Sequence, residues 1–205
     1  MTVGKLLEDI AACRICVECP KARRPLPQEP RPVLQASSGA RILIAGQAPG
    51  IRAHVAGRPF SDPSGDRLRH WLGVGPADFY DATRFAIVPM GFCFPGLDAR
   101  GSDLPPRPEC APAWRARLLA GLPRIELVIC LGSHAMRWHL GTRFEGSVDR
   151  TVRNWRAGLA LSPAVIALPH PSWRNSGWLK RNPWFEAELI PELRRRVADL
   201  PGHAA

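Results

Sequence analysis

Apolar residues gather in four short unbroken runs along the chain: RILIA (41–45), RFAIV (84–88), LVICL (127–131) and AVIAL (164–168). Each is rich in branched aliphatics and none alternates with polar positions, which predicts strands covered on both faces. Between the runs, apolar positions return at helical spacing. Leu6, Leu7 and Ile10 predict a short helix over the first dozen residues, running into CRICVEC. Ser64–Leu72 predicts a helix opened by a Ser cap, and Ser133–Leu140 one that stops at Gly141. Pro112–Leu122 and Pro183–Leu200 each begin on proline, which suits the first turn of a helix. The stretch KARRPLPQEPRPVLQASSG is crowded with proline and charge and predicts a surface loop.

Strands alternating with helices predict an α/β fold: a single-domain, doubly wound, four-stranded parallel sheet flanked by helices. No repeat or second domain is visible, so residues 1–205 are expected to form one domain, with 1–39 an N-terminal helix and loop segment. Such sheets bind ligands beyond the carboxyl ends of their strands. The runs lead into GQAPG, PMGFCFPG, GSHA and PHPSWRNSG, so these four turns are expected on one rim.

Charge narrows the partners. Lys and Arg outnumber Asp and Glu by 28 to 18, a net +10 over 205 residues, and most of the cations are Arg. Arg forks onto phosphate, and a basic field attracts nucleic acid, although a solvated basic surface gives the same count. No apolar run is long enough to span a membrane, and Glu8 and Asp9 interrupt the N-terminal apolar stretch, so neither a membrane span nor a signal peptide is expected and the location expected is cytoplasmic, in a bacterial-type cell. Six cysteines in that compartment point to metal before disulfides. Cys13 and Cys16 form a CxxC pair, and Cys93 and Cys110 can complete a four-thiolate site for zinc or an iron–sulfur cluster. Cys19 competes with Cys16, and Cys130, inside a strand run, reads as a small buried hydrophobe.

The GQAPG turn has no Lys, Ser or Thr for a phosphate and no acid for a base. Its glycines permit close backbone approach to a flat ligand. Nearby, Phe60 is either core or a plate on which a ring stacks. Asp62 either caps the following helix or orients a water. His170 ends the fourth run between two prolines, where a neutral imidazole N–H can meet a developing oxyanion. Ser172, Trp173, Arg174 and Asn175 mix polar, basic and aromatic groups on one loop, a composition suited to nucleic acid.

GQAPG, GRPF, CLGSHA and HPS, in this order after successive strands, resemble the uracil-DNA glycosylase superfamily. The layout of Cys13, Cys16, Cys93 and Cys110 resembles its iron–sulfur (family 4-like) branch. The resemblance implies hydrolysis of the N-glycosidic bond of uracil in DNA by base flipping, leaving an abasic site. It also implies a [4Fe-4S] cluster on those four cysteines, with zinc as the alternative, and a monomer with no nucleotide cofactor. Gly46, Gln47, Ala48, Pro49 and Gly50 would line the base pocket, Phe60 would stack on the base, and His170 would bond uracil O2. Ser172–Asn175 would contact DNA. Three departures stand out. Gln47 occupies the position where the branch usually carries Glu, and Ala48 excludes the related Asp or Asn. Pro89-Met90-Gly91 stands where an Asn usually reads the base, which leaves backbone groups at Met90 and Gly91 to do so and Asp62 as a substitute carboxylate. These departures keep two alternatives open: a glycosylase for hypoxanthine or xanthine, and a catalytically weak DNA-binding relative. The segment after Cys93 holds no His, so covalent trapping of abasic DNA is not expected.

Overall fold

The computed structural model describes residues 2–21 and 25–202. Four strands form one all-parallel sheet: β1 (Ile42–Ala45), β2 (Phe85–Ile87), β3 (Leu127–Leu131) and β4 (Ala164–Leu168), in the spatial order β2-β1-β3-β4. Every strand residue except Ala164 is buried, as the unbroken apolar runs require. Ile44 is in register with Ile87 on one side and Ile129 on the other, and Ile129 with Ile166. The chain winds outward from β1 to β2, then returns to build β3 and β4 on the other side. The switch point of this doubly wound α/β sheet therefore lies between β1 and β3, where such folds open a crevice.

Helices flank the sheet. Val3–Ala11 buries Leu6 and Ile10 and is capped by the Thr2 hydroxyl. Pro63–Leu72 buries Leu68, Trp71 and Leu72 and packs on the closing helix Ile190–Ala198. Ser133–Leu140 runs between the residues the sequence marks. Two of the proline-started helices open as a π-helical turn, Ala111–Arg115 and Phe185–Leu189, before continuing as α-helix. Trp178 and Trp184 both pack on Phe185, with ring centroids 5.6 and 6.3 Å apart, so these tryptophans belong to the body of the protein.

Two sequence expectations are corrected. The cap of Pro63–Leu72 is Asp62, whose Oδ1 accepts from the Gly65 amide at 3.0 Å, not Ser64. A carboxylate one residue before Pro63 satisfies the orphan amides, and proline at the first position leaves no amide to waste. The Pro-rich stretch after Lys21 is also more than surface loop, although its residues 22–24 lie outside the described residues. Leu26 and Val33 are buried, and Gln35 makes a two-way backbone bridge with Ile87. That bridge covers the outer edge of β2, which would otherwise expose unpaired backbone groups.

Candidate active site at the carboxyl rim of the sheet

β1 ends in the turn Gly46–Gly50. Its carbonyls at Gly46 and Gln47 accept from the amides of Met90 and Gly91, each at 2.9 Å, so the turns after β1 and β2 are laced together. Those two amides are thereby committed to the turn rather than free for a ligand. The carbonyls of Val88 and Pro89 are committed too: both accept from the Arg115 guanidinium, at 2.6 and 2.8 Å. Arg115 is fully buried, and desolvation lowers its pKa to about 10.

Phe60 lies against this turn. A Cβ placed on Gly46 would stand 3.8 Å from Phe60 Cζ, so glycine leaves room beside the ring. The ring meets Phe79 edge-on at 6.1 Å, which buries one side and fixes its orientation. The Phe60 backbone has φ +53, a left-handed value uncommon for a bulky residue. Its carbonyl accepts from the Tyr80 hydroxyl at 3.2 Å and from Arg69 at 3.3 Å, and it occupies the space a side chain at position 65 would need. Gly65 is thus required by close approach of the chain.

His170 follows β4. Its carbonyl accepts from the Asn175 side chain at 2.7 Å, and Arg67 on Pro63–Leu72 donates to the Ser172 carbonyl at 2.9 Å. The first bond closes the His170 turn on itself, and the second fastens it to the helix that begins just beyond Phe60 and Asp62. Burial lowers the imidazole pKa below its ordinary value; Asp62 and Asp103 oppose the shift, and Arg174 adds to it. His170 is neutral at neutral pH and keeps one N–H to donate. Trp173 is 75 % exposed, with the Arg174 guanidinium 5.7 Å above its ring.

The sequence-derived residues at the turns after β1, β2 and β4 therefore meet on one rim, with Phe60 and Asp62 between them. Ala48, Pro49 and Gly50 lie in the connected β1 turn, and Asp62 has one carboxylate oxygen occupied as a cap. Gln47 donates its side-chain amide to the Leu104 carbonyl, at 3.0 Å. The structure also adds a residue the sequence did not mark. Asp103 places Oδ2 3.7 Å from where a Gly50 Cβ would stand, and it interacts with both His170 and Asp62.

The four predicted cysteines line one pocket elsewhere, together with Ile10, Phe92, Arg107 and Trp114. Cys19 is exposed and outside it, and Cys130 is buried in β3. The Trp114 indole donates to Cys13 Sγ at 3.1 Å, and the Phe92 amide to Cys110 Sγ at 3.3 Å. Burial pushes the thiols of Cys93 and Cys110 up to about 12, so their thiolates need a nearby cation. No group of three or more His, Cys, Asp or Glu among the described residues is gathered closely enough to chelate a single ion as it stands. No helix among them is long and apolar enough to cross a membrane. A family model described as the uracil DNA glycosylase superfamily matches residues 34–194, which spans all four strands and the rim.

Proposed function

The chain belongs to the uracil DNA glycosylase superfamily, and from that premise we propose that it hydrolyses the N-glycosidic bond of uracil in DNA. Family membership makes DNA the substrate and glycosidic cleavage the reaction class. The choice of uracil and the flipping of the base are the finer part of this reading. What supports them most is the meeting of the Gly46 turn, Phe60 and a neutral His170 on one rim.

A base rotated out of the duplex stacks on the free face of Phe60, for about 1–3 kcal/mol. The narrow Gly46 turn admits the ring edge. As the bond from C1′ to the base breaks, its electron pair enters the pyrimidine and charge collects at O2. The His170 N–H donates to that oxygen, and because the imidazole is neutral it stabilises the anion without first protonating it. Water adds to C1′ and leaves an abasic site. Extrusion costs a few kcal/mol, which contacts from the His170 loop offset, with exposed Trp173 entering the vacated stack and Arg174 meeting phosphate.

The test is incubation with a uracil-containing oligonucleotide followed by alkali. Strand cleavage is expected with uracil and not with thymine. Salt-sensitive DNA binding without base release would instead support a non-catalytic relative, the reading favoured by the amide at Gln47. Because the amides of Met90 and Gly91 are already engaged, hypoxanthine and xanthine belong in the same panel.

For the thiol pocket we propose a [4Fe-4S] cluster held by Cys13, Cys16, Cys93 and Cys110. Four soft sulfurs, two of them already accepting N–H bonds, suit such a group. When bound, it supplies a rigid cross-link between the N-terminal helix and the loops after β2, and no step of the reaction passes through it. Brown protein with visible absorbance that bleaches on reduction is expected. A colourless protein carrying one zinc would assign the site to zinc.

A further inference from the structure

The reading above leaves the sugar side of the reaction without an acid or base, since Gln47 and Ala48 supply neither. We propose that Asp103 is the catalytic carboxylate of this site, facing C1′ and the attacking water from a hairpin that crosses to the β1 turn. This inference rests on the glycosylase reading and adds a residue to it.

The segment carrying Asp103 is folded. Leu97 and Asp103 pair across an antiparallel bridge, and the Leu104 amide donates to the Gly96 carbonyl at 2.9 Å. The hairpin is closed by Asp98, whose Oδ1 accepts from the amides of Arg100 and Ser102, both at 2.8 Å. Gly101 takes the left-handed conformation in the turn, φ +72. Asp103 therefore projects from a short, locally bonded scaffold.

Gln47 fixes that scaffold to the rim through its bond to Leu104. Only a side chain with an N–H can donate to that carbonyl, and an ionised Glu has none. The amide that removes the acid from the turn thus holds in place the strand that brings one back. The result is the 3.7 Å approach of Asp103 Oδ2 to the Gly50 position.

The charged groups facing Asp103 are His170, Arg174 and Asp62. Partial desolvation raises its pKa above the ordinary aspartate value; Asp62 adds to the rise, and His170 and Arg174 oppose it. A weaker acid is a stronger base for water. Asp62 itself is a poorer candidate, because it caps Pro63–Leu72. Asp103 is exposed to solvent, so its carboxylate is open to a water.

The step balances without a further reagent. The C1′–N1 bond breaks and its electron pair leaves with uracil. The carboxylate stabilises the cationic sugar, the water oxygen bonds to C1′, and one water proton passes to Asp103. Asp103 returns that proton to solvent, and the uracil anion takes one from solvent.

The experiment measures single-turnover release of uracil across pH for the wild type, Asp103→Asn and Asp103→Glu, with binding to an abasic-site analogue duplex and thermal melting alongside. Asp103→Asn is expected to lose about 10²-fold or more in rate, to keep analogue binding and melting, and to lose the acid limb of the pH profile. Asp103→Glu is expected to keep an acid limb. If wild type releases uracil and Asp103→Asn stays within about threefold with the same profile, the assignment falls and the glycosylase reading stands. A rate loss matched by lost binding or melting, with Asp103→Glu showing no acid limb, also overturns it. A wild type that releases no base overturns both.

Discussion

Burial sets the charge state of His170, and the charge state sets its role. A protonated imidazole beside Asp62 and Asp103 would pair with them and turn from the base. Desolvation prevents that near neutral pH. On the proposed reading His170→Ala removes one donor to the leaving oxygen, and a loss of about 10²–10³ in the rate of uracil release is expected. Single-turnover kinetics with saturating enzyme reads this directly, and a fall confined to DNA affinity would contradict the role. Phe60 poses the opposite problem, since its position depends on a neighbour with no side chain. In Gly65→Ala the new methyl meets the Phe60 carbonyl, which already serves Tyr80 and Arg69. A loss of about 1–3 kcal/mol is expected, visible in the melting temperature, together with slower base release as the ring moves. Phe60 and His170 could be singled out in the sequence because each stands in a short motif, His170 at the end of β4 and Phe60 on the loop after the β1 turn and the helix Ile51–Ala56. Asp103 was not. It lies far from GQAPG along the chain, in a stretch whose polar and proline-rich composition carries no strand period, and only folding of the hairpin brings it to Gly50.

At the scale of elements, the four strands were readable because burial on both faces leaves a continuous apolar run. The short helices Ile51–Ala56, Pro76–Phe79 and Val148–Arg153 were not, because one or two turns display too little of a helical period. Arg115 shows a different limit. In PAWRARLLA it reads as one of several surface arginines, yet it enters the core from the helical turn Ala111–Arg115 and gathers the carbonyls at the end of β2. Its third partner is His139 Nε2 at 2.7 Å, on Ser133–Leu140. Arginine always donates, so the histidine nitrogen must accept and the ring must be neutral. Burial and the guanidinium lower the His139 pKa to about 3. The unfolded chain binds that proton near the ordinary 6.5, so the native state is favoured above this pH and loses stability as pH falls through it toward 3. Between pH 7 and 5 the contribution is about 2 kcal/mol. His139→Gln keeps an acceptor for Arg115 and removes the titration. Urea midpoints across this range are expected to fall for the wild type and to fall less steeply in the variant, where His170, its pKa lowered by burial, still contributes.

The whole molecule joins its two unusual regions through one length of chain. Cys93 and Cys110 border the segment that holds the Asp98–Asp103 hairpin, and Cys13 and Cys16 come from beside the N-terminal helix. The segment between Cys93 and Cys110 is held by the thiol pocket at each end, by the Gln28 side chain at the Phe94 carbonyl and by Gln47 at Leu104, beside the hairpin. Leu6, Ile10, Phe92 and Cys110 share the core with the sheet, but most of that core comes from β1–β4 and from helices such as Pro63–Leu72 and Ile190–Ala198. On the proposed reading, losing the metal should release the hairpin well before it unfolds the sheet. Cys93→Ser is expected to lose the visible absorbance and most uracil release while circular dichroism still reports the α/β body. Cys19→Ser, whose thiol is exposed and outside the pocket, is expected to change none of these. Proteolysis supplies a second measure, because the released hairpin should be cut between Phe94 and Pro108 in Cys93→Ser and not in the loaded wild type. Equal protection in both proteins, with activity lost, would show that the cysteines act on the rim by some route other than the hairpin.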